Sequence, residues 1–159
     1  MVAWANPLIS YPMNTSIDIL LEQKGSLVYS VQSTATVCEA VREMNKHKVG
    51  CVLIMDGSNL AGIFTERDVL TRVVSAELDP KATPVAQVMS KRVITVSSDA
   101  SAEEVMIMFA ERRCRHLPVM DNGQLRGLIS IGDISRHLAG VYRMEAEQLK
   151  QYIAGGYPS

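Results

Sequence analysis

Gly62-Ile63-Phe64-Thr65-Glu66-Arg67-Asp68 and, further along, Gly127-Leu128-Ile129-Ser130-Ile131-Gly132-Asp133 share one plan: a glycine, two apolar residues, a hydroxyl residue and an acid three places on. The apolar run reads as the end of a strand. The hydroxyl and the acid fit the Ser/Thr-x-x-acid capping box, in which each satisfies a backbone N–H at a helix start, here with Asp for Glu. The same residues also suit a ligand. A helix N-terminus offers free N–H groups and positive potential to an anion, and a carboxylate one turn in can accept two hydrogen bonds from a sugar cis-diol. Arg67, present only in the first motif, adds a fork-shaped phosphate donor.

The two motifs lie 65 positions apart (127 − 62), and the same offset aligns much more. Val28-Tyr29-Ser30-Val31 falls on Val93-Ile94-Thr95-Val96, Glu39 on Glu104, Met55-Asp56 on Met120-Asp121, and Asp68 on Asp133. A gapless match at fixed offset marks a duplicated structural unit. Each copy reads β-α-β-β-α. A β-branched strand (Val28 to Val31; Val93 to Val96) precedes an amphipathic helix capped by Thr36 with Glu39, or Ser101 with Glu104. Val37, Ala40, Val41 and Met44 form the apolar stripe of the first helix; Val105, Met108 and Phe109 form that of the second. Lys46-His47-Lys48 and Arg112-Arg113 close these helices, where cations suit the dipole. Two strands follow, Cys51 to Met55 and Leu60 to Phe64 (His116 to Met120 and Leu125 to Ile129 in copy two), joined by a turn at Asp56-Gly57 or Asn122-Gly123. The closing helices run from Glu66 to about Ala76 and from Ile131 to about Tyr142.

The fold class is therefore mixed α/β (α+β), two repeats packed pseudo-symmetrically through their sheets. The predicted organisation is an arm at 1–15, repeat one at 16–78, a linker at 79–90, repeat two at 91–142, and a separate terminal helix and tail at 143–159. Ile17 to Gln23 reads as a helix ahead of Gly25, and Val85, Val88 and Met89 as a short helical turn on the core. Trp4, the lone tryptophan, lies in the arm, read as either a docked or a disordered segment. Met13, Met89 and Met144 flank the units and are candidates to line an interface.

Composition narrows the function classes. The chain has 159 residues, 47% hydrophobic and 21% charged, with a formal net charge of −1, so no global positive field favours nucleic acid or an anionic membrane. No apolar run approaches the roughly 18 residues of a membrane span. Cys38, Cys51 and Cys114 read as reduced thiols of an intracellular protein. Cys114 with His116 lacks a second ligand pair at zinc spacing, so no metal is expected. There is no P-loop, no G-x-S-x-G and no HExxH, which argues against an enzyme. Arg112-Arg113 reads as a solvated helix end, whereas Arg115 and His116 enter a strand beside the predicted cleft.

The duplicated unit with G-h-h-[ST]-x-x-D closing each copy, together with His116-Leu-Pro-Val-Met-Asp-Asn-Gly123, resembles a tandem pair of cystathionine β-synthase (CBS) domains, a Bateman module, over about Val28 to Leu138. The Gln151-Tyr-Ile-Ala-Gly-Gly-Tyr157 ending resembles stand-alone two-domain members. The resemblance implies a regulatory module for energy or redox sensing that binds AMP (first among the candidates), ADP, ATP, NAD(H) or S-adenosylmethionine between the repeats and pairs into a homodimer in the cytoplasm or an organelle matrix. It implies one cleft with Thr65, Arg67 and Asp68 facing Ile94, Cys114, Arg115 and His116, and a second with Ser130 and Asp133 facing Tyr29, Val49, Gly50 and Cys51. The motif acids would read the ribose diol and the hydroxyls would lie near phosphate. The rival reading is an interaction scaffold with vestigial clefts.

Overall fold

The computed structural model of the chain describes residues 14–155, so Trp4, Met13 and the last four residues lie outside it. In chain order the elements are α1 (Ile17–Lys24), β1 (Ser30–Gln32), α2 (Val37–His47), β2 (Cys51–Asp56), β3 (Asn59–Thr65), α3 (Glu66–Asp68), α4 (Ala102–Arg112), β4 (His116–Asp121), β5 (Gln124–Ser130) and α5 (Ile131–Ala154). A π-helical stretch, Val69–Val74, continues α3, and a single 3-10 turn, Val85–Gln87, lies in the linker.

The duplication is legible bond by bond. Parallel β1 and antiparallel β3 flank β2, and β4 pairs antiparallel with β5. A register irregularity falls between Ile54 and Met55 in one sheet and between Val119 and Met120 in the other, again 65 positions apart. The hairpin turns take positive φ at Gly57 in one copy and at Asn122 and Gly123 in the other. All four predicted capping boxes form: Thr36 with Glu39, Thr65 with Asp68, Ser101 with Glu104, and Ser130 with Asp133. α2 and α4 end in left-handed Lys48 and Arg113.

Two expectations change. The run Val93 to Val96 is no strand; only Val96 pairs, with Val119, matching Val31 with Ile54 in copy one. The cause is Pro118. In copy one the Leu53 N–H donates to the Tyr29 carbonyl at 3.0 Å. The residue 65 places after Leu53 is Pro118, which has no N–H, so the carbonyl of Ile94 loses that donor. Nor is the terminal helix separate: α5 runs unbroken for 24 residues. Gly140 costs such a helix roughly 1 kcal/mol but neither it nor its neighbours supply a left-handed stop.

Each half has its own core. Val37, Ala40, Met44, Val52, Ile54, Phe64 and Val73 enclose one; Ala102, Val105, Phe109, Leu117, Val119, Ile129 and Ile134 enclose the other. The segment preceding each half completes the core of the opposite or preceding half. Ile17, Leu20 and Leu21 of α1 are buried in the second core, while Val85, Val88 and Met89 of the linker are buried in the first. The docking bonds repeat as well: the Ile17 N–H donates to the Ala100 carbonyl and the Ala102 N–H to the Thr15 carbonyl, as Val85 does to Ala35 and Val37 to Thr83, all at 2.8–2.9 Å. The motif glycines exist for this docking. A Cβ on Gly62 would sit 2.5 Å from Met89 Sδ and 2.9 Å from the Ser90 carbonyl oxygen; on Gly127 it would sit 2.9 Å from Leu21 Cδ2. α1 therefore ties the beginning of the chain to β5, more than a hundred residues on.

Candidate functional site

The strand-to-helix turn from β3 into α3 opens on a cleft of about 320 Å³, a volume within the usual range for small-molecule sites. Thr65, Arg67 and Asp68 line it from the first half and Ile94, Cys114, Arg115 and His116 from the second, so the seven residues of the first predicted set lie around one cavity. Pro118 lines it too, beside the Ile94 backbone whose strand donor it removes. In copy one the equivalent Tyr29 carbonyl is already taken by Leu53. Thus the first cleft faces a backbone segment free of ladder bonding, and the second does not.

Asp68 is buried, at 6% exposure. Its Oδ2 accepts from the Thr65 N–H at 2.9 Å and the Thr65 hydroxyl at 3.1 Å. Its Oδ1 meets only the Arg72 Nε, at 3.5 Å. The cap therefore occupies one carboxylate oxygen and leaves most of the accepting capacity of the other. Arg72 is held by the Met89 and Val88 carbonyls, to which it donates at 3.0 and 3.4 Å. Arg67 donates to the Arg113 carbonyl at 3.5 Å. Burial, and then the neighbouring Arg115 and Lys24 cations, push the His116 imidazole below its ordinary value. It is therefore a neutral hydrogen-bonding group at pH 7, so cationic character in this cleft comes from the arginines. Burial also raises the Cys114 thiol.

Sequence reasoning missed three of those arginines. Arg72 and Arg92 line the cleft without belonging to any motif, and Arg113 faces it instead of serving only as a solvated helix end. The left-handed turn at Arg113 directs the chain there; no local pattern marks Arg72 or Arg92 as neighbours of residues some twenty to forty places away.

The second predicted set is distributed differently. Ser130 caps α5, and Asp133 lines a second cavity with Leu20, Gln23, Lys24, Arg136 and His137. Gly50 lines the first cleft instead. Tyr29 stacks on His47, ring centroids 3.7 Å apart. Val49 packs on the first core, and Cys51 is 2% exposed, its thiol pushed by burial up to about 12. Asp133 is already engaged. Lys24 Nζ lies 2.7 Å from Oδ2 and also donates to the Leu128 carbonyl at 2.5 Å, while Arg136 bonds Oδ1. Ile63, the counterpart of Leu128, pairs instead with the backbone of Ser90. A lysine side chain from α1 thus does at β5 what linker backbone does at β3. Burial alone would raise the Asp133 carboxyl, but Lys24 and the Ser130 donors outweigh it and hold it below the ordinary carboxylate value.

Among the described residues no three His, Cys, Asp or Glu side chains converge as a metal site, and no helix is long and apolar enough to cross a membrane.

This arrangement has close parallels. The chain is 35% identical over 127 residues to the mitochondrial CBS domain-containing protein CBSX3 of Arabidopsis thaliana, covering 77% of this chain but 62% of that protein's length. Among solved structures it superposes with a TM-score of 0.76 on a protein with CBS domains from Burkholderia ambifaria, described as a candidate signal-transduction protein, at 38% identity over 78% of this chain and 93% of that one. Hypoxic Response Protein I, solved with two coordinated zinc ions, matches with a TM-score of 0.67 at 27% identity, over 77% of this chain and 98% of that one. The CBS-domain family model matches residues 27–75 and 85–140, most of the chain. The chain belongs to the CBS-domain family and carries two copies of that domain.

Proposed function

We propose that this chain is a non-catalytic regulatory module whose first cleft binds an adenine nucleotide, and that occupancy shifts how its halves and subunits pack. The observation that carries this reading is the half-engaged Asp68 carboxylate in a cleft that is also lined by Ile94, whose carbonyl lacks its ladder donor, and by several arginines. The acid suits a ribose diol and the arginines suit phosphate. Ligand that binds only the cleft formed between the two halves stabilises that arrangement by mass action. The exposed apolar side chains of Tyr142, Met144, Leu149, Tyr152 and Ile153 on α5 support self-association into a homodimer. A cytoplasmic or organelle-matrix setting belongs to the same reading.

The test is a thermal-shift panel of AMP, ADP, ATP, NADH and S-adenosylmethionine, followed by titration calorimetry on Asp68→Ala. At least one ligand raises the melting temperature. The substitution removes a helix cap, at about 1 kcal/mol of stability, and also lowers nucleotide affinity by roughly tenfold or more. If the variant loses stability but binds as the parent does, Asp68 is a cap and nothing else. If no ligand shifts the transition at millimolar concentration, the scaffold reading stands.

A further inference from the structure

Charge is distributed unevenly between the two clefts. Arg67, Arg72, Arg92, Arg113 and Arg115 line the first, against only Glu66 and Asp68, a formal balance of +3 (five minus two) in a chain whose total is −1. Among the described residues, only Arg72 of these five lies within ion-pair distance of a carboxylate. The fold does not require these cations. The positions 65 residues away in the other copy are Gly132, His137, Leu27, Lys48 and Gly50, which carry one permanent positive charge between them. The halves share their hairpins, capping boxes and the bonds that dock α1 and the linker, so the arginines are an addition to a common scaffold.

Like charges gathered in a confined cleft repel one another and persist where a ligand compensates them. The compensation needed here exceeds what a monophosphate supplies. A terminal phosphate carries about −1.5 to −2 at neutral pH, and each further phosphate in a chain adds about one more negative charge. Arg72 is anchored to the Val88 and Met89 carbonyls and Arg67 is near the Arg113 carbonyl, so they are oriented before any ligand arrives. Arg92, Arg113 and Arg115, from the second half, are exposed and line the same space. Five arginines drawn from both halves around one cavity suit a chain of phosphates better than a single phosphate group.

On the reading that the first cleft takes an adenine nucleotide, the geometry points to a nucleoside di- or triphosphate as its ligand, with AMP and the cationic S-adenosylmethionine disfavoured by charge. AMP, favoured on the sequence alone, is thereby displaced.

Calorimetric titration of the full chain, without magnesium, with AMP, ADP, ATP and inorganic tripolyphosphate decides this. The expected result is ADP or ATP binding at least about tenfold tighter than AMP, with a ratio that falls as salt rises from about 50 to 300 mM. The double variant Arg92→Ala/Arg113→Ala, its fold checked by circular dichroism, brings that ratio close to one. AMP binding within threefold of ATP, or a ratio indifferent to both salt and the double variant, overturns the inference while leaving nucleotide binding intact. Tripolyphosphate binding as tightly as ATP shows a polyanion site with no nucleoside recognition, and absence of binding by all four removes the nucleotide reading itself; either result overturns the inference.

Discussion

Replacing Lys24 by Met would separate the work of one side chain from that of the helix carrying it. Met preserves the apolar length of the lysine and removes only its ammonium, which holds Asp133 at 2.7 Å and the Leu128 carbonyl at 2.5 Å. Removing one partner of a fully buried pair costs about 3–5 kcal/mol, whereas an exposed pair is worth about 0–1. This pair lies between those limits: Asp133 is 6% exposed but Lys24 is 32% exposed, and the carboxylate keeps Ser130 and Arg136. About 1.5 kcal/mol is expected, a fall of roughly 3–6 °C in melting temperature for a chain of this size. The pH dependence supplies a second reading. Asp133 is depressed in the folded state, so its contribution is full above the unfolded value of about 3.9 and is lost as pH falls through the folded one. Urea denaturation at pH 7 and at about pH 3 should show the gap between parent and variant shrinking under acid, leaving the part owed to Leu128. An unchanged midpoint at pH 7, or an equal loss at both pH values, would refute the assignment of Lys24 as a structural latch.

The two motif glycines should not respond alike to alanine. Gly62→Ala drives a methyl against the Ser90 backbone, which cannot turn aside, at about 2–3 kcal/mol; Gly127→Ala meets the end of a Leu21 side chain that can change rotamer, at about 1. Equal losses in chemical denaturation would show that the docked segments yield equally. Cys51, with its thiol raised to about 12 and 2% exposure, should resist iodoacetamide at pH 8 until denaturant is added, which peptide mass mapping can follow. Labelling of Cys51 in the native protein at the rate of a free thiol would contradict its placement in the sheet.

Local sequence determined the elements and their repetition. Capping pairs and turn glycines act over three or four residues, so most of the plan of each half is legible along the chain; the β-branched run Val93 to Val96, which forms no strand, is the exception. The seven residues of the first predicted set came from the family resemblance and not from spacing, and the fold gathers them around one cavity. Arg67 already set the two motifs apart in the sequence; what the tertiary structure alone decided was how far the two clefts differ. Pro118 removes a bond that only the parallel register makes identifiable. Arg72, Arg92 and Arg113 converge from three separate segments. Lys24 reaches an acid 109 positions away, because α1 docks on the second core. Local interactions are set by neighbours in sequence and so can be read from it. Which cation meets which carboxylate depends on how segments pack across the core, and that geometry leaves one cleft open and positively charged, and the acid of the other already neutralised.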